Sequence, residues 1–186
     1  MKGVVFNVLE DVVSAERGEN AWDDLLEQAG VDGGYTAVGN YPDAEFLHLL
    51  QCLSGSESTA SSVTLRAFGR SGMGRLAQRY PAFFTPHRTT TPFLLTLNDI
   101  IHPTVRCLYP GADVPVFDVT VISRAGGDDV VIGYRSRRRL CHLAEGFLDG
   151  AAAHYGERVA LHQVACMHDG ADECVIACTF TPARAA

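Results

Sequence analysis

The spacing of apolar residues changes near residue 110, and that change constrains the fold more than any other feature. Before it, apolar side chains recur every three or four residues, as on one face of a helix; after it they recur mostly every two, as on one face of a strand, with one helical interval. Val4, Val5, Val8, Leu9, Val12 and Val13 form the first helical stripe, which Gly18 ends. Asn20 is placed to cap a second helix carrying Trp22, Leu25 and Leu26, closed by Gly30. After an Asp32-Gly33-Gly34 turn, Pro42-Asp43 opens a third helix with Phe46, Leu47, Leu49 and Leu50. A serine-rich stretch, residues 54–62, grades into a fourth helix lined by Val63, Leu65, Phe68, Met73 and Leu76. Gly69, Gly72 and Gly74 in that helix each cost about 1 kcal/mol of helix stability. Their presence implies close approach to the backbone, by a flat ligand or by another helix.

Leu94, Leu95, Leu97, Ile101, Val105 and Leu108 extend the helical spacing and predict a buried amphipathic helix that carries His102. Residues 114–123 then read as a strand, 125–129 as a turn, and the stretch through Tyr134 as the returning strand of a hairpin. Leu140, Leu143, Ala144, Phe147 and Ala151 mark a further helix that stops near Gly156. Residues 159–165 and 174–181 are two more strands around an Asp169-Gly170 turn, and the tail from Pro182 is expected to fray. The expected fold is α+β: an N-terminal helical lobe over about residues 1–60, then a lobe over about 61–182 with a four-stranded antiparallel sheet and a crossing helix. With 186 residues, 47% of them hydrophobic, the chain reads as one domain spanning 1–186.

Fifteen basic and 22 acidic residues give a net charge of −7, which argues against nucleic acid as a partner. No apolar run approaches membrane-spanning length, and Asn7, Glu10 and Asp11 break the apolar start where a signal peptide would be continuous. The expectation is a cytoplasmic protein that does not engage a membrane. Its six cysteines, Cys52, Cys107, Cys141, Cys166, Cys174 and Cys178, then read as thiols or metal ligands rather than disulfides.

Two constellations carry chemistry. A neutral imidazole on a greasy helical face, as at His102, is a ligand for iron, zinc or copper, or a core histidine bonded to a backbone carbonyl. If residues 130–139 stay extended, Tyr134, Ser136 and Arg138 share one face and present a phenol, a hydroxyl and a guanidinium, a set able to grip carboxylates. Arg135 and Arg137 then point the other way, as a solvated basic edge. Haem asks for both halves, an imidazole for its iron and partners for its two propionates.

In these residues the chain resembles the haem nitric oxide/oxygen-binding (H-NOX) domain, related to the haem domain of soluble guanylate cyclase. The resemblance runs through Met1–Asp11, Asp99-Ile100-Ile101-His102, Tyr134-x-Ser136-x-Arg138, Arg139-Leu140-Cys141 with Ala144-Glu145-Gly146, and Cys166 to Cys174. It implies haem b between the two lobes, His102 as the only protein ligand to iron, and Tyr134, Ser136 and Arg138 on the propionates. Pro115 falls where the family has a proline that presses on the porphyrin. The distal positions fall on Val5, Leu9, Gly72, Met73, Leu76, Leu143 and Phe147; Leu143 stands where oxygen-binding members carry a tyrosine. Without a side-chain donor there, nitric oxide and carbon monoxide are the implied ligands and oxygen is excluded. His142 lies close to this set in sequence.

The chain departs from the family at Pro103. That residue removes a hydrogen bond to the Asp99 carbonyl and biases His102 away from helical geometry, so a kink is expected there. Cys141, Cys166 and Cys174 match positions that bind zinc in some relatives. The family histidine has become Gln163, with His162 one residue earlier, and a one-residue slip reverses a strand's faces unless a bulge intervenes. The candidate fourth ligand is therefore His162 across a bulge, with His168 or water as substitutes.

The implied function is gas sensing without catalysis. No paired nucleophile and base stands out, and the output would go to a separate histidine kinase or cyclic-di-GMP cyclase/phosphodiesterase. The competing reading is a zinc/thiol redox or small-molecule-binding module resembling vinyl-reductase-like domains, which share the cysteine-bearing half but lack His102 and the propionate motif.

Overall fold

Glycines punctuate the first half of the chain where its apolar stripes end. A computed structural model describes residues 1–55, 60–124 and 127–183. Helix α1 (Gly3–Arg17) stops at Gly18, φ 104°; α2 (Ala21–Ala29) and α3 (Asp43–Ser54) stop at left-handed Gly30 and Gly55. In both left-handed caps the glycine N–H bonds back to the last turn, a conformation that costs glycine least. Ser61 caps α4 (Ser62–Arg79), its hydroxyl accepting the Thr64 N–H. Asn20 precedes α2 as expected but lies in helical geometry and makes no side-chain cap bond. Part of the expected serine-rich loop, residues 56–59, lies outside the described residues.

Helix α5 (Pro81–Phe84) and α6 (Thr90–Leu95) lead to a π-helical turn, Leu97–Ile101, and α7 (His102–Leu108). The single amphipathic helix expected here is thus three pieces, and its stripe is not wholly buried: Leu95, Ile100 and Leu108 are exposed. An i→i+5 turn rotates the following residues relative to an α-helix, so a stripe drawn at α spacing cannot keep to one face.

Strands β1 (Val116–Arg124) and β2 (Gly127–Arg135) pair as an antiparallel hairpin. β1 begins two residues later than expected, after Pro115, which has no N–H to give to a ladder. Pairing reaches Arg124–Gly127, so Gly127 to Asp129 are strand rather than turn; residues 125 and 126 lie outside the described residues. Helix α8 (Cys141–His154), β3 (Glu157–Ala165), a 3-10 turn (Met167–Asp169) and β4 (Cys174–Pro182) complete the chain. The sheet order is β1-β2-β4-β3, antiparallel throughout. Ala183 is still tied, its N–H to the Gly156 carbonyl at 2.8 Å; the last three residues of the expected frayed tail lie outside the described residues. No described helix is long and apolar enough to cross a membrane.

Burial divides into two large cores. One joins α1, α2 and α3 to the start of α4 through Phe6, Leu9, Phe46, Leu49, Leu50, Leu65 and Phe68, with Phe6 stacked on Tyr35 at 4.1 Å. The other lies between the sheet and α8, through Ile132, Ile176, Phe180, Leu148 and Ala151, with Phe84 and Phe93 stacked at 4.8 Å. Leu76 of α4 and Phe147 of α8 pack against both cores.

The two helices cross where each has a glycine. A Cβ on Gly69 would lie 2.5 Å from the Leu143 carbonyl oxygen, and one on Gly146 would lie 2.2 Å from the Arg66 carbonyl oxygen. Close helix packing, not a flat ligand, accounts for Gly69. Ion pairs Arg66–Glu145 and Arg70–Asp149 flank the crossing. Gly146→Ala is expected to cost about 1–3 kcal/mol in urea unfolding, because backbone must move to admit the methyl group. Gly74→Ala, whose Cβ meets nothing within 4 Å, is expected to gain up to about 1 kcal/mol in the same measurement.

Candidate functional site

Asn98 fixes the segment that carries His102. Its side-chain oxygen accepts the Phe117 N–H at 3.2 Å and its amide donates to the Phe117 carbonyl, so the π turn docks on the edge strand β1 as a short strand would. Within the turn, the Ile101 N–H reaches the Thr96 carbonyl and the His102 N–H reaches that of Leu97, each five residues back. Pro103 follows in the first turn of α7, where a missing N–H costs little. His102 stays helical, φ −64° and ψ −40°, so the expected displacement from helical geometry does not occur. The widened π turn supplies the irregularity that a proline kink would have introduced, and Thr104 donates its hydroxyl to the Ile100 carbonyl at 2.7 Å.

The His102 ring lies 5.7 Å from Phe117, and Phe117 lies 5.6 Å from Tyr134, in one row of rings. Its Nδ1 is buried with no hydrogen-bond partner among the described residues. Burial pushes the imidazole down to about 4; the Arg106 guanidinium adds to the shift and the Pro115 carbonyl partly offsets it. His102 is therefore neutral near pH 7, as a metal ligand must be.

The premise of an extended strand through Arg138 fails: β2 ends at Arg135, and residues 136–139 turn, with the Arg139 N–H on the Ser136 carbonyl at 3.1 Å. The three residues nevertheless meet. The Ser136 hydroxyl accepts the Arg138 N–H at 3.2 Å and lies against the Tyr134 phenol, which accepts the Leu140 N–H at 3.2 Å. Tyr134 is buried, which pushes its phenol up to about 12 and keeps it a donor. Arg138 reaches Asp43 through Nε at 2.9 Å and the Asp113 carbonyl through Nη1 at 3.0 Å. Asp43 also receives the Met1 amino group at 2.5 Å. Arg135 and Arg137 are exposed, as expected of a basic edge.

Val5, Leu9, Leu76, Leu143 and Phe147 all belong to or line the first core, and a Cβ on Gly72 would touch Val8 at 3.2 Å. Met73 does not join them; it packs into the sheet-side core and faces Gly150. His142 turns away from this set. Its Nδ1 lies 3.0 Å from Glu145, and its ring is parallel to that of His168, at 5.7 Å and 5°.

Cys141, Cys166 and Cys174 converge. The Cys166 sulfur lies 3.9 Å from each of the others, and the Met167 and His168 N–H groups point at the Cys174 and Cys166 sulfurs. Burial holds the Cys141 and Cys174 thiols above the usual range. His162 is not among them. β3 has an irregularity, but between Gln163 and Ala165, beyond His162, and the strand's alternating burial leaves His162 exposed on the outer face. Gln163 faces inward instead: its buried amide lies against Cys141 and eases formation of the thiolate. The expectation of His162 as fourth ligand is corrected on this register.

A sequence profile of the haem-NO-binding family matches residues 2–163. The chain belongs to that family. It is similar to the H-NOX protein of S. oneidensis solved in the Fe(II)NO state, at 31% identity and TM-score 0.86, over 97% of this chain and 99% of that one. An H-NOX from Shewanella woodyi, solved with IWP-051 bound in the Fe(II)CO state, shares 30% identity at TM-score 0.77 over 100% and 97%. The unliganded Fe(II) H-NOX of K. algicida, 24% identical over the full length of both chains at TM-score 0.79, shares the fold. Comparison with curated proteins gives no match.

The pH dependence of folding carries a signature of His102. Unfolded, the imidazole takes its proton near pH 6.5; folded, only near 4. Between these values the unfolded chain binds more protons, so stability falls as pH falls through that window, by at most about 3 kcal/mol from this group. Haem-free protein should lose stability from pH 7 to 4 more steeply than His102→Leu in parallel urea titrations. Equal slopes would show that His102 is not held neutral.

Proposed function

We propose that the protein is a non-catalytic haem-based sensor of nitric oxide. The observation that carries this reading is the buried, neutral His102 imidazole, with an unpartnered Nδ1, in one row with Phe117 and Tyr134 and near the Ser136–Arg138 turn. Haem, when bound, would supply a ferrous iron able to take a diatomic gas. His102 would hold that iron, with the Pro115 carbonyl against its ring. Tyr134 and Ser136 donate hydroxyls to the propionates and Arg138 its guanidinium, with Asp43 orienting the guanidinium from behind.

Gas choice would follow from the apolar side chains around the bound gas. Bound oxygen carries partial negative charge and gains from a hydrogen-bond donor; nitric oxide and carbon monoxide gain far less. Val5, Leu9, Leu76, Leu143 and Phe147 have none to offer, and His142 is engaged by Glu145. Signal output needs an element with two positions. Movement of His102 would carry α7, the π turn and the Asn98 latch together, and β1 would feel it at Phe117. A separate histidine kinase or cyclic-di-GMP cyclase/phosphodiesterase reads that shift by differential affinity. A second reading, zinc on Cys141, Cys166 and Cys174, is favoured by the three converging thiols and their two N–H donors, and is compatible with haem on the other side of Tyr134.

Expression with haem supplied should give a strong Soret band, and His102→Gly should lose it, recovering colour only with added imidazole. An unchanged spectrum in that variant overturns the ligand assignment. Arg138→Ala should weaken haem retention by about 1.5–3 kcal/mol, the cost of a propionate left without its charged partner.

The ferrous protein should bind nitric oxide and carbon monoxide and form no lasting oxygen complex in air, while Leu143→Tyr should lengthen the life of the oxygen complex. A stable oxygenated spectrum of the unsubstituted protein would overturn the apolar-pocket argument.

A further inference from the structure

Cys141 belongs to two sets of potential metal ligands. With Cys166 and Cys174 it forms the buried three-thiol cluster; with His142 and His168 it forms a second set, its sulfur and a ring nitrogen of each histidine lying within 4.8 Å of one another. The second set leads outward from the buried Cys141, through His142, about one-fifth exposed, to the exposed His168.

Both imidazoles are already held in the way metal-binding imidazoles are held. A ligating histidine typically fixes its other ring nitrogen on a carboxylate or a backbone carbonyl, which sets the tautomer and aims the free nitrogen. His142 has Nδ1 at 3.0 Å from Glu145, a carboxylate only 2% exposed and itself anchored by Arg66. His168 has Nε2 at 2.8 Å from the Arg139 carbonyl. Arg139 is the one described non-glycine residue with positive φ, at 54°, and its guanidinium grips the Met167 carbonyl at 2.8 Å in the turn that bears His168. Parallel rings, two anchored nitrogens and a shared thiol make a preformed half-shell.

We propose that Cys141, His142 and His168 form a second, solvent-facing metal site, distinct from the three-thiol cluster, that binds zinc or a similar borderline divalent cation with water in the fourth position. His142 binds through Nε2 and His168 through Nδ1, both as neutral donors, and the Cys141 thiol proton passes to solvent as the metal–sulfur bond forms. One sulfur and two imidazole nitrogens suit zinc in softness and number, and the open fourth position distinguishes this site from a closed structural one. The site does not depend on haem binding.

Zinc alone is the probe, measured by equilibrium dialysis against a competing chelator under anaerobic conditions, on the full haem-loaded chain. In a Cys166→Ser/Cys174→Ser variant the inner cluster is reduced to one sulfur, yet about one zinc per chain should remain. Adding His168→Ala to that variant should weaken zinc binding at least tenfold. Glu145→Gln should weaken it by about 10–100-fold, the usual loss when a carboxylate partner of a ligating histidine is removed. Cadmium-113 resonance should report one sulfur with nitrogen donors rather than three sulfurs. Loss of all zinc from the double cysteine variant, or a zinc affinity indifferent to His168 and Glu145, overturns the proposal. Should the cysteine variant fail to fold, the cadmium-113 resonance of the otherwise unchanged chain decides: a shift set by one sulfur with nitrogen donors, lost in His168→Ala, supports the site, and a shift set by three sulfurs alone rejects it. The Soret band read on the same samples separates failure here from failure of the haem assignment.

Discussion

Helix α8 lies close against α4 where Gly69 and Gly146 present bare backbone to each other's helix, a contact Gly150 repeats one turn on, and most of the chemistry of the molecule hangs from it. With the crossing fixed, the first two turns of α8 send successive side chains to separate places. Cys141 enters the thiol cluster, His142 meets Glu145 and His168, Leu143 enters the first core, Glu145 reaches Arg66, and Phe147 packs against both cores. A helix spreads consecutive residues about 100° apart, so one short segment can serve several environments only if its rotation is pinned. The two glycines pin it sterically, and the buried Glu145 pins it electrostatically, since that carboxylate is tolerable only where Arg66 and His142 meet it.

At the β1 edge of the sheet the controlling link is Asn98 to Phe117. A helical segment ending in an exposed proline-bearing turn has little to hold it: Leu95, Ile100 and Leu108 all face outward. The paired bonds of the Asn98 amide replace strand pairing along the free edge of β1 and bring His102 alongside Phe117. A buried imidazole without a partner for Nδ1 is costly in isolation, and it is Ile101, Phe117 and the sheet-side core that hold the ring there nonetheless.

The sequence made legible those features that depend on neighbours in the chain. Gly30 and Gly55 end helices because left-handed caps are local events, and the Tyr134-x-Ser136-x-Arg138 spacing keeps Tyr134, Ser136 and the Arg138 N–H in contact even though the strand ends at Arg135. Features that depend on distant partners were hidden. The π turn is stabilised by Asn98 reaching Phe117, nineteen residues on, so α spacing predicted one helix where there are three pieces. Asp43 read only as the start of α3, yet it receives both Arg138 and the Met1 amino group. His162 and Gln163 could not be told apart by spacing alone, because the deciding bulge comes after both of them. The one available signal was the alternation Val159, Leu161, Gln163, which places the glutamine on the apolar face and the histidine on the other.

Tyr134 is where the proposed haem side and the sulfur cluster meet. Its ring touches Phe117, and hence the His102 row, on one side, and shares a buried cluster with Cys141, Cys166 and Cys174 on the other; it pairs with Cys174 across β2 and β4. Its hydroxyl accepts the N–H of Leu140, the residue immediately before α8. The phenol is thus fixed by the same helix terminus that delivers Cys141. A metal or an oxidant that repositioned Cys141 would act on the first turn of α8, and through Leu140 on the phenol. Such a coupling would need no long pathway, because a single aromatic residue stands between the two proposed sites and packs its ring against both.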